Sequence, residues 1–92
     1  MNLRKMARGQ NCYVRIPGYC NFDPETVVLC HDNLAGISGM GMKAPDLCAV
    51  PACSRCHDVI DGRVKTNFTK REVKLMFYEG MSRWLATVSK TL

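Results

Sequence analysis

Two cysteines, a histidine and an aspartate lie within one short segment of this chain, Cys53-Ser-Arg-Cys-His57-Asp-Val-Ile-Asp61. If the segment is helical, Cys53 and Cys56 lie about one turn apart at the helix start, and His57 and Asp61 project from one face. Thiolates are typical of a closed structural zinc site, whereas imidazole and carboxylate suit a harder divalent ion that keeps positions open for water and phosphate. The segment therefore predicts two metal sites of different chemistry.

A second pair of cysteines completes the predicted zinc site. The four expected ligands are Cys12, Cys20, Cys53 and Cys56. The seven residues between Cys12 and Cys20 exceed the usual ligand spacing of about two to four, so Cys30 or Cys48 could replace one member. Otherwise, Cys30 and Cys48 are expected to be small buried residues of strands.

The cysteines also allow two other interpretations. A set of six could form a disulfide framework, and Cys-x-x-Cys-His is the attachment signature of c-type haem. Residues 1–10 are basic without an apolar stretch behind them, so we infer neither a signal peptide nor an oxidising compartment. Haem attachment belongs to exported chains with few extra thiols, and no apolar run is long enough to span a membrane. We therefore expect a reduced, cytoplasmic metalloprotein.

Length and charge narrow the class of protein further. The 92 residues predict one domain, 1–92, whose small core needs a staple such as zinc. Much of the formal charge of +5 lies in two basic stretches, which favours a partner with a phosphate backbone, although a merely soluble basic face is equally compatible. No aromatic residues interleave regularly with these charges, so a single-strand stacking platform is not expected. The two stretches comprise Arg4, Lys5, Arg8 and Arg15, and then Arg63, Lys65, Lys70, Arg71 and Lys74.

Local patterns predict a hairpin followed by a helix as the core of the metal motif, at about residues 12–62. Residues 26–31 are β-branched and apolar and predict a strand that ends at His31. Residues 36–45 are glycine-rich and predict a mobile loop, after which residues 47–50 return as the second strand. Pro51 is expected to break that strand before the metal-bearing helix, and Gly62 is expected to end the helix.

The C-terminal third predicts a long amphipathic helix at about residues 69–90. Thr69-Lys-Arg-Glu72 has the form of a capping box. Apolar residues then recur at helical spacing and are expected to close the small core. These residues are Val73, Met76, Phe77, Trp84, Leu85 and Val88.

The order of these motifs carries a family resemblance. Leu29-Cys-His31, a glycine-rich loop, Asp46-Leu47 and the Cys53–Asp61 segment together resemble the ββα-metal motif of HNH endonucleases. More closely, residues 3 to about 63 resemble the prophage-encoded nucleases of the YbcO family. The matching segments are Leu3-Arg-Lys5, Ala7-Arg-Gly9, Cys12-Tyr-Val-Arg-Ile-Pro-Gly18, Pro24-Glu-Thr26, Lys43-Ala-Pro-Asp-Leu47 and Ala52-Cys-Ser-Arg-Cys-His-Asp58.

The resemblance implies roles for individual residues. His31 would be the general base that takes a proton from the attacking water, and Asp46, at the position of the motif's middle asparagine, would orient it. His57 would bind a catalytic divalent ion (Mg²⁺, Mn²⁺ or Zn²⁺), with Asp61 as its helical partner. Independently of the resemblance, the charge of Arg4, Lys5, Arg8 and Arg15 predicts that they hold the nucleic-acid backbone.

The expected protein is thus an α+β domain: a small, zinc-stapled ββα-metal fold, HNH-like or treble-clef-like, with a long C-terminal helix. Its expected function is metal-dependent hydrolysis of DNA phosphodiester bonds, with double-stranded DNA as the partner and a phage or prophage origin. Two alternatives stay open: a zinc-stapled DNA-binding or recombination accessory protein without cleavage activity, and an interaction adaptor of a phage replication complex. The sequence specifies neither DNA over RNA nor the oligomeric state.

Overall fold

A computed structural model describes residues 2–31 and 46–91, which form an α+β fold with a two-stranded sheet and a long C-terminal helix. The helices are α1 (Leu3–Ala7), α2 (Ser54–Ile60) and α3 (Lys70–Ser89), and the strands are β1 (Val28–His31) and β2 (Ala49–Ala52). A short 3₁₀ turn, Pro24–Thr26, precedes β1. The glycine-rich loop predicted at residues 36–45 lies outside the described residues. Within the described residues, no helix is long and apolar enough to cross a membrane.

The two strands form the predicted antiparallel hairpin, but the bounds of both strands differ from the prediction. In the register, Cys30 pairs with Val50 and His31 with Ala49. The first strand begins later than expected because residues 24–26 form the 3₁₀ turn, in which the Asp23 side chain accepts a hydrogen bond from the Glu25 amide at 3.0 Å.

Pro51 was expected to break the second strand, and that prediction is wrong. Pro51 lies inside β2, opposite Leu29. Its carbonyl accepts a hydrogen bond from the Tyr13 amide at 2.9 Å, so the carbonyl oxygen and the nitrogen of Pro51 face away from β1. Proline lacks only the N–H group, and at this outward-facing edge position no ladder hydrogen bond is lost.

Helix α2 begins and ends where the sequence indicates. Cys53 is the N-cap, and its sulfur accepts a hydrogen bond from the Cys56 amide at 3.4 Å. Gly62 follows the C-cap Asp61 with φ of +79°, a left-handed conformation that glycine adopts without steric cost. Helix α2, which carries Cys56 and His57, therefore follows the hairpin with only Cys53 between them.

Helix α3 begins with the predicted capping box and packs against β2 and α2. The Thr69 hydroxyl accepts from the Glu72 amide at 3.1 Å, and the Glu72 carboxylate accepts from the Thr69 amide at 2.9 Å. Phe77, Trp84 and Val88 are buried as expected. Leu85 is instead 37% exposed, so its assignment to the buried stripe was wrong.

Gly80 takes part in the buried face of α3, a role that the pattern of apolar residues did not indicate. At this position the helix lies directly against the backbone of residues 13 and 14. A β-carbon on Gly80 would lie 2.7 Å from the carbonyl oxygen of Tyr13 and 3.1 Å from the α-carbon of Val14. About one helical turn further along α3, the ring of Trp84 meets the ring of Tyr13 edge to face, with centroids 5.3 Å apart.

Gly80→Ala should therefore lower the free energy of unfolding by about 1 to 3 kcal/mol, the usual cost of overpacking. Alanine has the higher helix propensity by about 1 kcal/mol, so a purely local effect would have the opposite sign. Urea unfolding followed by circular dichroism measures the change, with exposed Ser82→Ala on the same helix as control. A Gly80→Ala protein as stable as wild type would mean that α3 does not approach residues 13 and 14 this closely.

Candidate metal centres and basic groove

The four cysteines predicted to bind zinc meet in the structure. The sulfurs of Cys12, Cys20, Cys53 and Cys56 all lie within 4.8 Å of one another, and those of Cys20 and Cys53 are 3.8 Å apart. A tetrahedral zinc with Zn–S bonds of about 2.3 Å separates its ligands by about 3.8 Å. The cluster joins the loop of residues 12–20 to the start of α2, and its geometry could hold a metal such as zinc.

Backbone amides around the cluster favour the thiolate form of its cysteines. The Arg15 amide donates to the Cys12 sulfur at 3.5 Å, and the Ile16 amide donates to the Cys56 sulfur at 3.4 Å. Arg15 reaches this position with φ of +54°. Amide donors stabilise negative charge on the sulfur, so these contacts are compatible with thiolates that could hold a metal.

The contact between two of the sulfurs also shifts the pKa values of Cys12 and Cys56 in opposite directions. The side-chain hydrogen bond with Cys56 lowers the pKa of Cys12 to about 4, and the same contact raises the pKa of Cys56. Burial raises the pKa of Cys20 to about 11. Four thiolates this close repel one another, and a divalent metal both offsets that charge and deprotonates its thiol ligands.

Cys30 and Cys48 lie outside this cluster. Cys30 is a buried residue of β1, 1% exposed, as expected for a small strand cysteine. Cys48 is only partly buried and precedes β2, so its assignment to a buried strand position was wrong. The long spacing between Cys12 and Cys20 is accommodated by the turn at residues 16–20, in which the amides of Tyr19 and Cys20 both donate to the Ile16 carbonyl.

A second group of polar side chains forms at the end of the hairpin. His31 ends β1, and its Nε2 lies 2.7 Å from Oδ1 of Asp46. Nε of Arg4, on α1, lies 3.3 Å from the same oxygen. The hydrogen bond from His31 and the contact with Arg4 hold the pKa of the Asp46 carboxyl below its usual value. Asp46 therefore stays ionised at neutral pH and accepts from the imidazole.

The sequence did not predict that Arg4 would pair with Asp46, because 42 residues separate them and only the fold brings them together. Arg4, one of the four N-terminal cations, therefore has a partner within the protein. Nε of Arg15 also has a partner in the structure, the Cys12 carbonyl at 3.0 Å. Lys5 and Arg8 are exposed.

The third group lies at the end of α2. Nε2 of His57 is 3.3 Å from Oδ2 of Asp61, as the i, i+4 spacing predicts. Two ligand atoms each about 2.1 Å from one ion lie about 3.0 to 3.4 Å apart, so this pair fits a divalent ion that fills its other positions with water or phosphate. An Arg63 nitrogen lies 3.7 Å from the same Asp61 oxygen. In residues 2–31 and 46–91, only the four cysteines form a metal-binding group of three or more.

An open groove of about 840 Å³ is lined by one residue of the second group and one of the third. It runs between the end of α2, the connection at residues 61–69 and the first half of α3, and we call it the basic groove. His31 and Asp61 both line it, together with the cations Arg63, Lys65, Lys70 and Lys74. The structure thus brings the second basic stretch of the sequence next to the histidine at the end of β1.

Comparisons with known proteins identify the family of this chain. The family model described as "Putative nuclease YbcO" matches residues 1–91. Over 83 residues the chain is 54% identical to "Putative nuclease YbcO" of Escherichia coli (strain K12), covering 89% of this chain and 84% of that protein. A protein of the same description from Enterobacteria phage 82 matches at the same identity and coverage.

A solved structure shares the fold. It is described as "Structure of a putative bacteriophage protein from Escherichia coli str. K-12 substr. MG1655", with a TM-score of 0.79, 44% identity and 96% of each chain covered. The fold and sequence therefore define a prophage-associated class of small proteins named as nucleases. This chain belongs to the YbcO family, as the sequence motifs predicted.

Proposed function

We propose that this protein is a metal-dependent, HNH-type endonuclease of phage or prophage origin that hydrolyses phosphodiester bonds of double-stranded DNA. The observation that carries the proposal is the shared groove: His31, already hydrogen-bonded to a carboxylate, and Asp61, paired with His57, line one basic cavity. The family's name supports nuclease function in general. The hairpin followed by α2 supports a ββα-metal core within one domain.

His31 is the proposed general base. Asp46 accepts a hydrogen bond from Nε2, which fixes the tautomer that leaves a lone pair on Nδ1. That nitrogen takes a proton from water as the water oxygen forms a bond to phosphorus and the bond from phosphorus to the leaving oxygen breaks. Asp46 is a positioning residue: it holds the ring and stabilises the imidazolium that forms.

His57 and Asp61 would hold the catalytic Mg²⁺, Mn²⁺ or Zn²⁺. When bound, such an ion offsets charge on the phosphate and stabilises the leaving oxygen. Cys30, which precedes the proposed base, is buried in the core, so the soft thiol is kept out of this harder site.

The cysteine cluster is proposed as a separate, structural zinc site formed by Cys12, Cys20, Cys53 and Cys56. Its four protein ligands leave no open position for substrate, which is typical of structural rather than catalytic zinc. A thiolate zinc site of this kind is typical of proteins in a reducing compartment, and we propose that this protein acts in the cytoplasm. Lys5 and Arg8, together with Arg4 and Arg15, are proposed to contact the DNA backbone outside the groove.

A second candidate function, a zinc-stapled DNA-binding or recombination accessory protein, is favoured by one contact. The Arg63 guanidinium lies near Asp61 and also contacts Asp58 at 3.3 Å. Arg63 could therefore neutralise the carboxylate that the nuclease needs as a metal ligand. In that case the groove would bind DNA without cutting it.

Cleavage of supercoiled plasmid separates these functions. Wild-type protein should nick DNA with added Mg²⁺ or Mn²⁺ and should stop when EDTA removes the added ion. His57→Ala should lose cleavage at low ion concentration and regain part of it in excess Mn²⁺, because the lost ligand lowers affinity for the ion. The control is Glu79→Ala, an exposed position of α3 outside the residues that line the groove, which should keep most of the activity. Cleavage that is insensitive to EDTA, or equal in His57→Ala and wild type, would refute the assigned ion site.

A further inference from the structure

The floor of the basic groove is apolar, whereas its rim is cationic. Val59 and Phe77 line it and are buried, and Phe68 and Val73 line it at intermediate exposure. Val64 also lines it and is 38% exposed. The cavity therefore has an apolar surface that ordinary phosphate binding does not require.

Four cations surround this floor. Arg63, Lys65, Lys70 and Lys74 are all exposed, and Asp61 is the one carboxylate among the described residues that line the groove. Lys70 and Lys74 are one turn apart on α3, so their ammonium groups follow the same side of the groove. This arrangement is complementary to a phosphodiester chain rather than to a single anion.

One aromatic side chain that lines the groove, Phe68, is held in place by its neighbours. Phe68 precedes α3, and its ring meets the Tyr19 ring edge to face, with centroids 6.4 Å apart and planes at 64°. The Phe68 amide donates to the Thr66 hydroxyl at 3.1 Å, which further fixes the connection between α2 and α3. A positioned aromatic side chain beside cations is the combination on which unpaired bases stack.

The apolar floor beside the cations favours one form of DNA. A nucleotide that binds there places its base on apolar side chains and its phosphate on lysines. In a duplex, the base faces are stacked on one another and cannot reach an apolar floor. An unpaired nucleotide offers both a flat apolar face and a phosphate.

We propose that the basic groove receives an unpaired nucleotide of the strand to be cut, with its base against Phe68 and its phosphates on Lys70 and Lys74. This inference rests on the proposed nuclease function and deepens it: the preferred substrate is duplex DNA that carries a few unpaired nucleotides beside the scissile phosphate. His31 lines the same groove, so a strand bound there passes the proposed general base.

The test measures DNA binding separately from cleavage. Fluorescence anisotropy with zinc-loaded protein and no added Mg²⁺ or Mn²⁺ compares three labelled DNAs: a single strand, a blunt duplex and the same duplex with three unpaired nucleotides. The DNA with unpaired nucleotides should bind about 10-fold more tightly than the blunt duplex, the scale of one stacked base. Equal or tighter binding of the blunt duplex would overturn the proposal.

Two sets of variants assign the preference to the groove. Phe68→Leu keeps an apolar side chain but removes the ring, so it should abolish most of the preference for unpaired nucleotides while blunt-duplex affinity stays within about 2-fold. Lys70→Gln with Lys74→Gln should weaken binding of the DNA with unpaired nucleotides and reduce its salt dependence, whereas Lys90→Gln at the far end of α3 should not. Thermal unfolding checks that each variant is folded. A Phe68→Leu protein that keeps the full preference would overturn the proposal.

The outcomes separate this inference from the proposed function. If the preference for unpaired nucleotides is found and depends on Phe68, but no DNA is cut in any ion, the groove assignment stands and the nuclease function fails. If wild type cuts blunt duplex as rapidly as duplex with unpaired nucleotides, the nuclease function stands and this inference is wrong.

Discussion

Cys53→Ser should lose zinc and cooperative unfolding together. Cys53 is fully buried, its sulfur belongs to the four-cysteine cluster, and the same sulfur caps α2 by accepting from the Cys56 amide. A structural zinc contributes about 10 to 16 kcal/mol of apparent binding free energy, which is as large as the whole stability of a typical small domain. Loss of one thiolate should therefore unfold most of the chain at room temperature.

Zinc content by mass spectrometry and thermal unfolding by circular dichroism measure this effect. Cys48→Ser is the matched control, because Cys48 lies outside the cluster and is only partly buried. The control should bind one zinc per chain and unfold cooperatively near the wild-type temperature. A Cys53→Ser protein that stays folded with its zinc in place would mean that the cluster is not the structural staple.

His31→Ala should lower the rate of DNA cleavage by about 10²-fold or more, the scale of a lost general base. His31 is partly exposed at the end of β1, with its side chain 21% accessible, so its removal should leave fold and zinc content nearly unchanged. Because the proposed ion ligands remain, excess Mn²⁺ should not restore cleavage. This response distinguishes His31→Ala from His57→Ala.

Single-turnover cleavage with protein in excess measures the chemical step without product release. Asp46→Asn is an informative companion, because an amide oxygen can still accept from the imidazole but cannot stabilise imidazolium by charge. Asp46→Asn should therefore reduce the single-turnover cleavage rate by less than His31→Ala does. If His31→Ala cuts DNA at the wild-type rate, His31 is not the base and the contact with Asp46 is structural.

The sequence predicted those parts of the fold that depend on residue type and short spacing. The capping box at Thr69 and the glycine after α2 are local signals, and both were confirmed. The four-cysteine cluster was predicted from residue type and the Cys-x-x-Cys spacing, and the fold was needed to exclude Cys30 and Cys48 from it. The i, i+4 spacing likewise brought His57 and Asp61 together, since a single helix fixes that distance.

The errors arose where tertiary contacts override local preference. Pro51 remains in a strand because Tyr13 binds the outer edge of β2, a contact that no local pattern reveals. Leu85 has the spacing of a core residue but is exposed, whereas Trp84 and Val88 on the same helix are buried. Glycine inside a long helix usually has a packing reason, so Gly80 was itself a local signal of the close approach.

The basic groove was the feature least accessible to sequence analysis. Its cations and Phe68 do not alternate in sequence, so no stacking platform was expected. The structure brings them together because the connection at residues 61–69 turns back between α2 and α3. Its proximity to His31 depends on the hairpin, and the pairing of Arg4 with Asp46 depends on α1 packing against β1.

The central proposal is that this small protein has two metal sites of different chemistry. Anomalous diffraction from zinc-loaded crystals soaked in Mn²⁺ tests both sites most directly. Data collected on either side of the zinc edge, and then at longer wavelength for manganese, assign each ion. The expected result is zinc among Cys12, Cys20, Cys53 and Cys56, with manganese against Nε2 of His57 and a carboxylate oxygen of Asp61. Zinc among the cysteines with no manganese in the groove would contradict the nuclease site and favour the zinc-stapled DNA-binding protein.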